Sequence, residues 1–260
     1  MKYMKGTLGL LVTLLIMGIS MDAFGFLGFG NSVSWQEEVL LHDGQKIIAE
    51  RSQSYGGRHE IGQSAPIKEL AISFKLPGLN KSITWTSEYG DDIGRTNFQL
   101  LALHVLNGTP YIVASPNLCL SYNKWGRPNP PYVFFKYDGA AWQRISLEEF
   151  PVEFKTTNVT IETKGYEEKL VGQGLVSAEK VRGLNNSLSQ PEYKTILREP
   201  LDPKKIVCTE MIRVNDGWVG IEWFTSKPTY DICLNTCKIK ELTPEQCPCE
   251  RLFKNKNKEK

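Results

Sequence analysis

Pairs of short apolar runs joined by tight-turn residues recur along this chain, and they constrain its fold more than any other feature. WQEEVLL and QKIIAER flank Asp43-Gly44, and FQLLALHVL and YIVAS flank Asn107-Gly108. Asp-Gly and Asn-Gly are residue pairs that tight hairpin turns prefer. Three further pairs of runs lie around PGLNK, DGAA and NDG. The pattern predicts a mainly β protein whose antiparallel hairpins form a sandwich or an open barrel, with a propeller fragment as the minor alternative.

The first 25 residues have the organisation of a secretory signal peptide. Positive charge in MKYMK precedes the apolar run GLLVTLLIMGI, and small residues follow. Cleavage after Gly25 would place Ala23 and Gly25 at the two positions where signal peptidase requires small side chains. Alternatively, residues 6–30 are long enough to span a bilayer as an uncleaved anchor. We therefore expect an exported protein of the periplasm or cell envelope, which contacts the membrane only through this segment if it is uncleaved.

The balance of charge argues against one class of partner. The chain of 260 residues carries 31 Lys and Arg against 29 Asp and Glu. A nearly neutral chain has no global field that would attract nucleic acid, so we expect no nucleic-acid partner. The local exception is the basic end RLFKNKNKEK, residues 251–260, for which we predict a disordered tail.

All six cysteines follow the predicted signal peptide, and four of them lie in CLNTCKIKELTPEQCPC. In an exported protein, an even number of cysteines predicts disulfides because the compartment oxidises thiols. Cys233 and Cys237 would lie one turn apart on a helix. Cys247 and Cys249 are too close in sequence to pair with each other without strain, so each needs a separate partner. Among the many pairings that six cysteines allow, the nested pairs Cys233–Cys249 and Cys237–Cys247 fit a stapled C-terminal hairpin, which leaves Cys119 to pair with Cys208.

The same cluster supports a second interpretation if its thiols stay reduced. A C-x3-C…C-x-C pattern in a reducing compartment is typical of a structural zinc site held by thiolates. This alternative describes an intracellular or membrane-anchored protein with zinc bound to its C-terminal cysteines. For the exported protein we expect no cofactor and no metal.

Changes in composition predict how the chain is organised. Residues 151–205 are more polar and less periodic than the runs before them, so we predict a polar linking region there. It separates an antiparallel β domain at 32–150 from a smaller disulfide-stapled α/β region at 206–250, which comprises a β-hairpin and a Cys-rich staple. Capping-box patterns at Ser146–Glu149 and Thr243–Gln246 each predict a short helical turn.

An aromatic and proline-rich stretch, SYNKWGRPNPPYVFFKYDGAAW, follows the third hairpin and continues through the first strand and the turn of the fourth. Its prolines exclude a helix over WGRPNPP and predict a stiff, polyproline-like approach to the strand YVFFKY. Large side chains on both faces of a strand are typical of a strand packed on both sides. Exposed aromatic and arginine side chains could instead form the rim of a groove that binds a glycan or a peptide. The candidate rim residues are Trp125, Arg127 and Tyr132.

Two segments also carry a family resemblance. WQEEVLLHDGQKIIAERSQ, together with CLSYNKWGRPNPPYVFFKYDGAAWQRISLEEFP, resembles a group of uncharacterised exported bacterial proteins. The resemblance covers residues 35–151. It implies a bacterial cell envelope, and it implies no activity, cofactor or catalytic residue.

The sequence contains no recognisable catalytic motif. Its 3 histidines lack metal-ligand spacing, and neither a G-x-S-x-G elbow nor a phosphate loop is present. We therefore predict a non-catalytic binding or interaction module whose partner is an unknown envelope protein or a glycan. The alternative is an envelope hydrolase that uses Glu88, Asp91 and Asp92 in the loop SEYGDDIGRTN. Such an enzyme would need two carboxyl groups that face each other across a cleft.

Overall fold

The computed structural model describes residues 32–76, 81–161, 163–215 and 217–256. The predicted signal peptide over residues 1–25 therefore lies outside the described residues, as does the whole of the alternative anchor over residues 6–30. Every described residue belongs to one compact unit, so the ranges 32–150, 151–205 and 206–250 are parts of that unit.

Strands and helices are short throughout the described residues. In chain order, the strands are β1 (Ser32–Leu40), β2 (Lys46–Tyr55), β3 (Ile67–Lys75), β4 (Ser82–Ser87), β5 (Tyr89–Gly90), β6 (Arg95–Thr96), β7 (Phe98–Leu106), β8 (Thr109–Pro116), β9 (Val133–Tyr137), β10 (Trp142–Ile145), β11 (Leu175–Val176), β12 (Met211–Val214) and β13 (Gly217–Gly220). The helices are α1 (Leu118–Lys124), α2 (Glu167–Gly172), α3 (Ala178–Asn186), α4 (Glu222–Thr225), α5 (Tyr230–Ile239) and α6 (Cys249–Lys256), with 3₁₀ turns at Pro191–Tyr193 and Pro203–Lys205.

Two sheets form a β-sandwich, which confirms the predicted mainly β, antiparallel class. The first sheet has the order β11-β1-β2-β3-β4 and the second the order β10-β9-β8-β7. All neighbours in both sheets are antiparallel except β11, which pairs parallel with β1. All five predicted hairpins are present, and the fifth forms the separate pair β12-β13.

The residues in the turns explain the register of the third and the first hairpin. Leu106 pairs with Thr109, so Asn107 and Gly108 form a two-residue loop. Both have positive φ, 51° and 74°, as a type I′ turn requires. The Asp43-Gly44 pair instead lies in a three-residue loop, because the Leu41 amide donates to the Gln45 carbonyl at 2.8 Å. Gly44 at the end of that loop has φ 86°.

Alternation along the strands places the main core between the two sheets. β2 is alternately exposed and buried over most of its length, and its inward side chains meet those of β7, β8 and β9 in one apolar cluster. The second sheet is also buried on its other face, where Leu101, Tyr111 and Phe134 pack against Phe150 and Phe154. Because the second sheet is covered on both faces, its strand YVFFKY carries large side chains on both faces.

The prediction of a polar linking region over 151–205 is wrong. Phe154, Val159, Ile161 and Ile196 from this range are buried in the core. Their irregular spacing hid them, because this part of the chain packs without a long strand or helix and so shows no periodicity. The range covers the outer face of the second sheet and one side of the sandwich.

Residues 156–161, which we call the covering segment, run beside the edge strand β7. The Asn158 amide donates to the Leu101 carbonyl at 3.3 Å. The Asn158 side chain accepts from the Leu103 amide at 2.9 Å and donates to the Leu103 carbonyl at 2.7 Å. The segment therefore supplies the edge strand with hydrogen-bond partners that a neighbouring strand would otherwise provide.

A buried ion pair joins the covering segment to the first sheet. Arg51 and Glu37 are 1% and 0% exposed, and an Arg51 guanidinium nitrogen lies 2.7 Å from a Glu37 carboxylate oxygen. The other Glu37 oxygen accepts from the Trp35 indole at 3.0 Å. The Thr160 amide donates to Glu37 at 3.3 Å, and Arg51 donates to the Thr160 carbonyl at the same distance.

The C-terminal residues form a disulfide-stapled cluster as predicted, but the basic tail differs from expectation. The prediction of disorder over 251–260 is wrong for residues 251–256, which continue helix α6, whereas residues 257–260 lie outside the described range. Leu252 and Phe253 pack partly buried against the cluster around Phe224. The two apolar side chains among the lysines give the tail a packed face.

Candidate functional site

All six cysteines are paired, and the pairing is the one expected from the sequence. The bridges are Cys119–Cys208, Cys233–Cys249 and Cys237–Cys247, with Cα separations of 5.1, 5.8 and 5.7 Å. These separations lie in the normal range for disulfides.

Local structure explains the two C-terminal bridges. Helix α5 carries Cys233 and Cys237 one turn apart. Thr243 and Gln246 form the predicted capping box, with reciprocal side chain to backbone bonds of 3.4 and 3.0 Å. This turn delivers Cys247 to Cys237, and α6 then begins at the partner of Cys233. The four cysteines thus staple two helices together.

The sulfur atoms in this staple converge closely enough to raise the zinc alternative. Those of Cys237, Cys247 and Cys249 lie within 4.8 Å of one another. Each is committed to a disulfide, and the thiolate is the form of cysteine that binds a metal. In the oxidised protein these atoms therefore form a covalent staple and have no thiolate to offer an ion.

The structure buries one of the three predicted rim residues, Tyr132, and leaves Trp125 and Arg127 half-buried. Tyr132 is 3% exposed, and its hydroxyl contacts the Glu192 and Thr195 carbonyls at 3.0 and 3.1 Å. Burial raises the pKa of Tyr132. The Trp125 ring packs on Phe98, with 4.5 Å between ring centroids.

Arg127, the third predicted rim residue, links the sandwich to the C-terminal cluster. Its guanidinium donates to the Cys208 carbonyl at 2.9 Å and to the Asn123 side chain at 3.0 Å. Arg127 and Gly126 both have positive φ, so the chain turns here and does not form the predicted polyproline-like approach. The turn places Arg127 beside the Cys119–Cys208 bridge.

The loop that carries the acidic residues considered for hydrolysis is held by one carboxylate and several backbone carbonyls. Asp92 forms an ion pair with Lys124 at 2.9 Å, and its carbonyl accepts from the Trp218 indole at 3.1 Å. The Asp91 carbonyl accepts from Arg58 at 3.0 Å, and that of Glu88 accepts from the Asn97 side chain at 2.9 Å. These bonds hold the loop in place.

A pocket of about 610 Å³ lies at the end of the sandwich, where the β1–β2 turn, the end of β3 and the β7–β8 turn meet. We call it the sandwich-end pocket. Its apolar lining consists of Leu41, Leu76, Val105 and Leu106, and its polar lining includes His42 and Asn107. This volume and this mixture of apolar walls with a few polar groups are typical of ligand sites.

His42 is the polar group with unmet bonding capacity in this pocket. Its Nδ1 atom is buried and has no hydrogen-bond partner. A buried polar atom without a partner is unusual in native proteins, and a ligand or water can satisfy it. The neighbouring Asp43 is committed, because both of its carboxylate oxygens accept from Gln45, at 3.0 and 2.9 Å.

None of the described residues that line the sandwich-end pocket is a serine, cysteine or lysine that could act as a nucleophile. Both turns were predicted from the sequence, but their meeting across the sandwich was not, because it depends on how the two sheets pack. The pocket residues were therefore missed.

The His104 ring lies next to the His42 ring, and its burial favours the neutral form of the imidazole. Its ring stacks on Phe154 with 4.6 Å between centroids, and its Nε2 donates to the Thr156 carbonyl at 2.9 Å. With that proton assigned, Nδ1 accepts from the Asn158 side chain at 3.4 Å. Burial lowers the pKa of His104 to about 4. His104 is therefore a core histidine with both ring nitrogens in hydrogen bonds.

Comparisons with protein-family models, with curated proteins and with solved structures found no match to this chain. Within the described ranges, no helix has both the length and the apolar character that crossing a bilayer requires.

His104 should make the fold acid-sensitive. Because its folded-state pKa of about 4 is below the ordinary value of about 6.5, only the unfolded chain binds this proton between the two values. Stability should fall as the pH drops through that window, by about 3 kcal/mol in total. The His104→Gln variant should lack the part of this loss that comes from His104. The free energy of unfolding, measured by urea denaturation across the pH window, checks this. A parallel pH profile in the variant and the natural protein would contradict the assignment.

Proposed function

We propose that this chain is an exported, non-catalytic binding module of a bacterial cell envelope. The observation that carries the proposal is the pairing of all six cysteines in disulfides. Disulfides persist in oxidising compartments and are rare in the cytosol. The signal-peptide pattern in residues 1–25 supports the same compartment, as does the resemblance of residues 35–151 to exported bacterial proteins.

The sandwich-end pocket is the best candidate for the binding site. Its apolar walls suit an aliphatic side chain, and the unpaired Nδ1 of His42 suits a polar group next to it. Apart from the histidine, no aromatic ring is found among the described lining residues. This favours a peptide segment of an envelope protein over a glycan that would stack on tryptophan or tyrosine.

The two alternatives have weaker support. A hydrolase that uses Glu88, Asp91 and Asp92 has to free Asp92 from its ion pair with Lys124. A zinc protein has to reduce two disulfides, including one whose cysteines, Cys233 and Cys249, are both fully buried. The zinc alternative depends on the compartment, because the cysteines can bind zinc only where the thiols stay reduced.

The state of the thiols in the natively expressed protein tests the export proposal. We expect all six cysteines to resist alkylation until a reductant is added, since each is paired in the folded protein. The same sample, analysed by mass spectrometry, should begin near Phe26. Oxidised thiols with an intact N-terminus would instead indicate an anchored protein that faces the oxidising side. Freely reactive thiols with Met1 retained and stoichiometric zinc would contradict export.

Site-specific photo-crosslinking tests the binding proposal. A photoreactive phenylalanine analogue at Leu106, in the sandwich-end pocket, should give one adduct of defined mass in exporting cells. The matched control is the same analogue at Ile61, which is fully exposed and outside the pocket lining. Peptide mapping then identifies the crosslinked partner. The same adducts at both positions, or none at Leu106, would contradict the proposed site.

A further inference from the structure

A second cavity, of about 150 Å³, lies beside the buried ion pair. Its walls come from β2, β3, β6 and β7, from Asn117, and from the end of the covering segment and the residues just after it. It shares no lining residue with the sandwich-end pocket. At roughly 30 Å³ for each water-sized group, the space suits a molecule of about five non-hydrogen atoms.

Arg51 gives this cavity an unused hydrogen-bond donor. One terminal nitrogen of its guanidinium serves Glu37 and the Thr160 carbonyl. The Nε atom is buried and has no partner. Arg51 lines the cavity, and hydrogen bonds from a charged donor are about twice as strong as neutral ones. Arg51, a buried cation with an unpaired N–H group, is therefore one of the residues that line this cavity.

The charge of the lining favours an anion. Arg51 and Lys164 are positively charged, and no acidic residue is among the described residues that line the cavity. Glu37 neutralises Arg51, so a second buried anion would need its own counter-charge. Lys164 can supply it, because it is exposed and still lines the cavity.

The remaining wall favours a short alkyl group. Leu70, Phe98 and Leu100 are buried apolar residues that line the cavity. Contact with them stabilises a ligand by removing methyl and methylene groups from water. A small inorganic anion would leave this wall unused.

We propose that the cavity binds a short-chain monocarboxylate of about the size of propionate. Its carboxylate accepts a hydrogen bond from the Arg51 Nε–H group and faces the Lys164 ammonium, while its alkyl group packs on Leu70 and Phe98. This site is independent of the peptide site proposed above. Its failure and the failure of the photo-crosslinking test are therefore separate results.

The Arg51 Nε–H resonance in an NMR titration of the oxidised protein tests the proposal directly. Sodium propionate should shift this resonance saturably, because a carboxylate oxygen becomes its acceptor. Propionamide, which has the same shape without the charge, should leave it in place, as should sodium chloride at equal ionic strength. Lys164→Gln should weaken propionate binding by roughly threefold to fivefold, whereas the exposed control Lys155→Gln should leave it unchanged.

A further variant distinguishes propionate binding from a cavity that holds only water. Leu70→Phe fills the apolar end, so it should abolish the saturable shift while the Arg51 resonance remains visible. The proposal is overturned if the resonance does not move with propionate or moves equally with propionamide. Equal weakening by Lys164→Gln and Lys155→Gln would also overturn it, because that result indicates nonspecific screening at the surface.

Discussion

The buried ion pair between Glu37 and Arg51 is the interaction on which the arrangement of this protein depends. Charges can be buried only when they are paired and their remaining hydrogen bonds are satisfied. Here those bonds come from Trp35 on the same strand and from Thr160 on the covering segment. Arg51 Nε has no partner, and the bonds that the pair makes with Thr160 form only when the first sheet and the covering segment are together. Asn158 then completes the edge of the second sheet, so one polar cluster closes the side of the sandwich.

Covalent and noncovalent constraints leave one end of the sandwich available for binding. β8 begins at the β7–β8 turn of the sandwich-end pocket, and beyond its other end Cys119 is bridged to Cys208 across 89 residues. The bridge, together with Arg127 and Asn123, attaches the C-terminal cluster there. The turn end carries no such attachment among the described contacts and retains an unpaired histidine nitrogen. This division between a stapled end and an open end is the physical basis for the binding module that we propose.

Local chemistry determined what could be predicted from the sequence. The hairpins could be predicted because residues such as Asn107 and Gly108 favour the left-handed backbone of a tight turn. The cysteine staple could be predicted because Cys233 and Cys237 lie one helical turn apart. The covering segment could not be predicted, since Asn158 and Thr160 act through partners more than 50 residues away. Tyr132 was expected at a surface rim because aromatic residues beside prolines suit binding, but tertiary contacts with residues 192–197 bury it. Neither cavity has a sequence signal, because each forms between elements that are distant in the chain.

Native-state hydrogen exchange of Glu37→Gln tests most directly whether the ion pair holds the covering segment in place. The amides of Asn158, Thr160 and Ile161 should be strongly protected in the natural protein. In the variant their free energies of exchange should fall by about 3–5 kcal/mol, because Arg51 is left buried without its counter-charge. The control is Glu38→Gln, whose side chain lies on the opposite face of the same strand in a more exposed pair with Lys46; it should leave these amides nearly unchanged. Rapid exchange of the three amides in the natural protein, or equal effects of the two substitutions, would contradict the account.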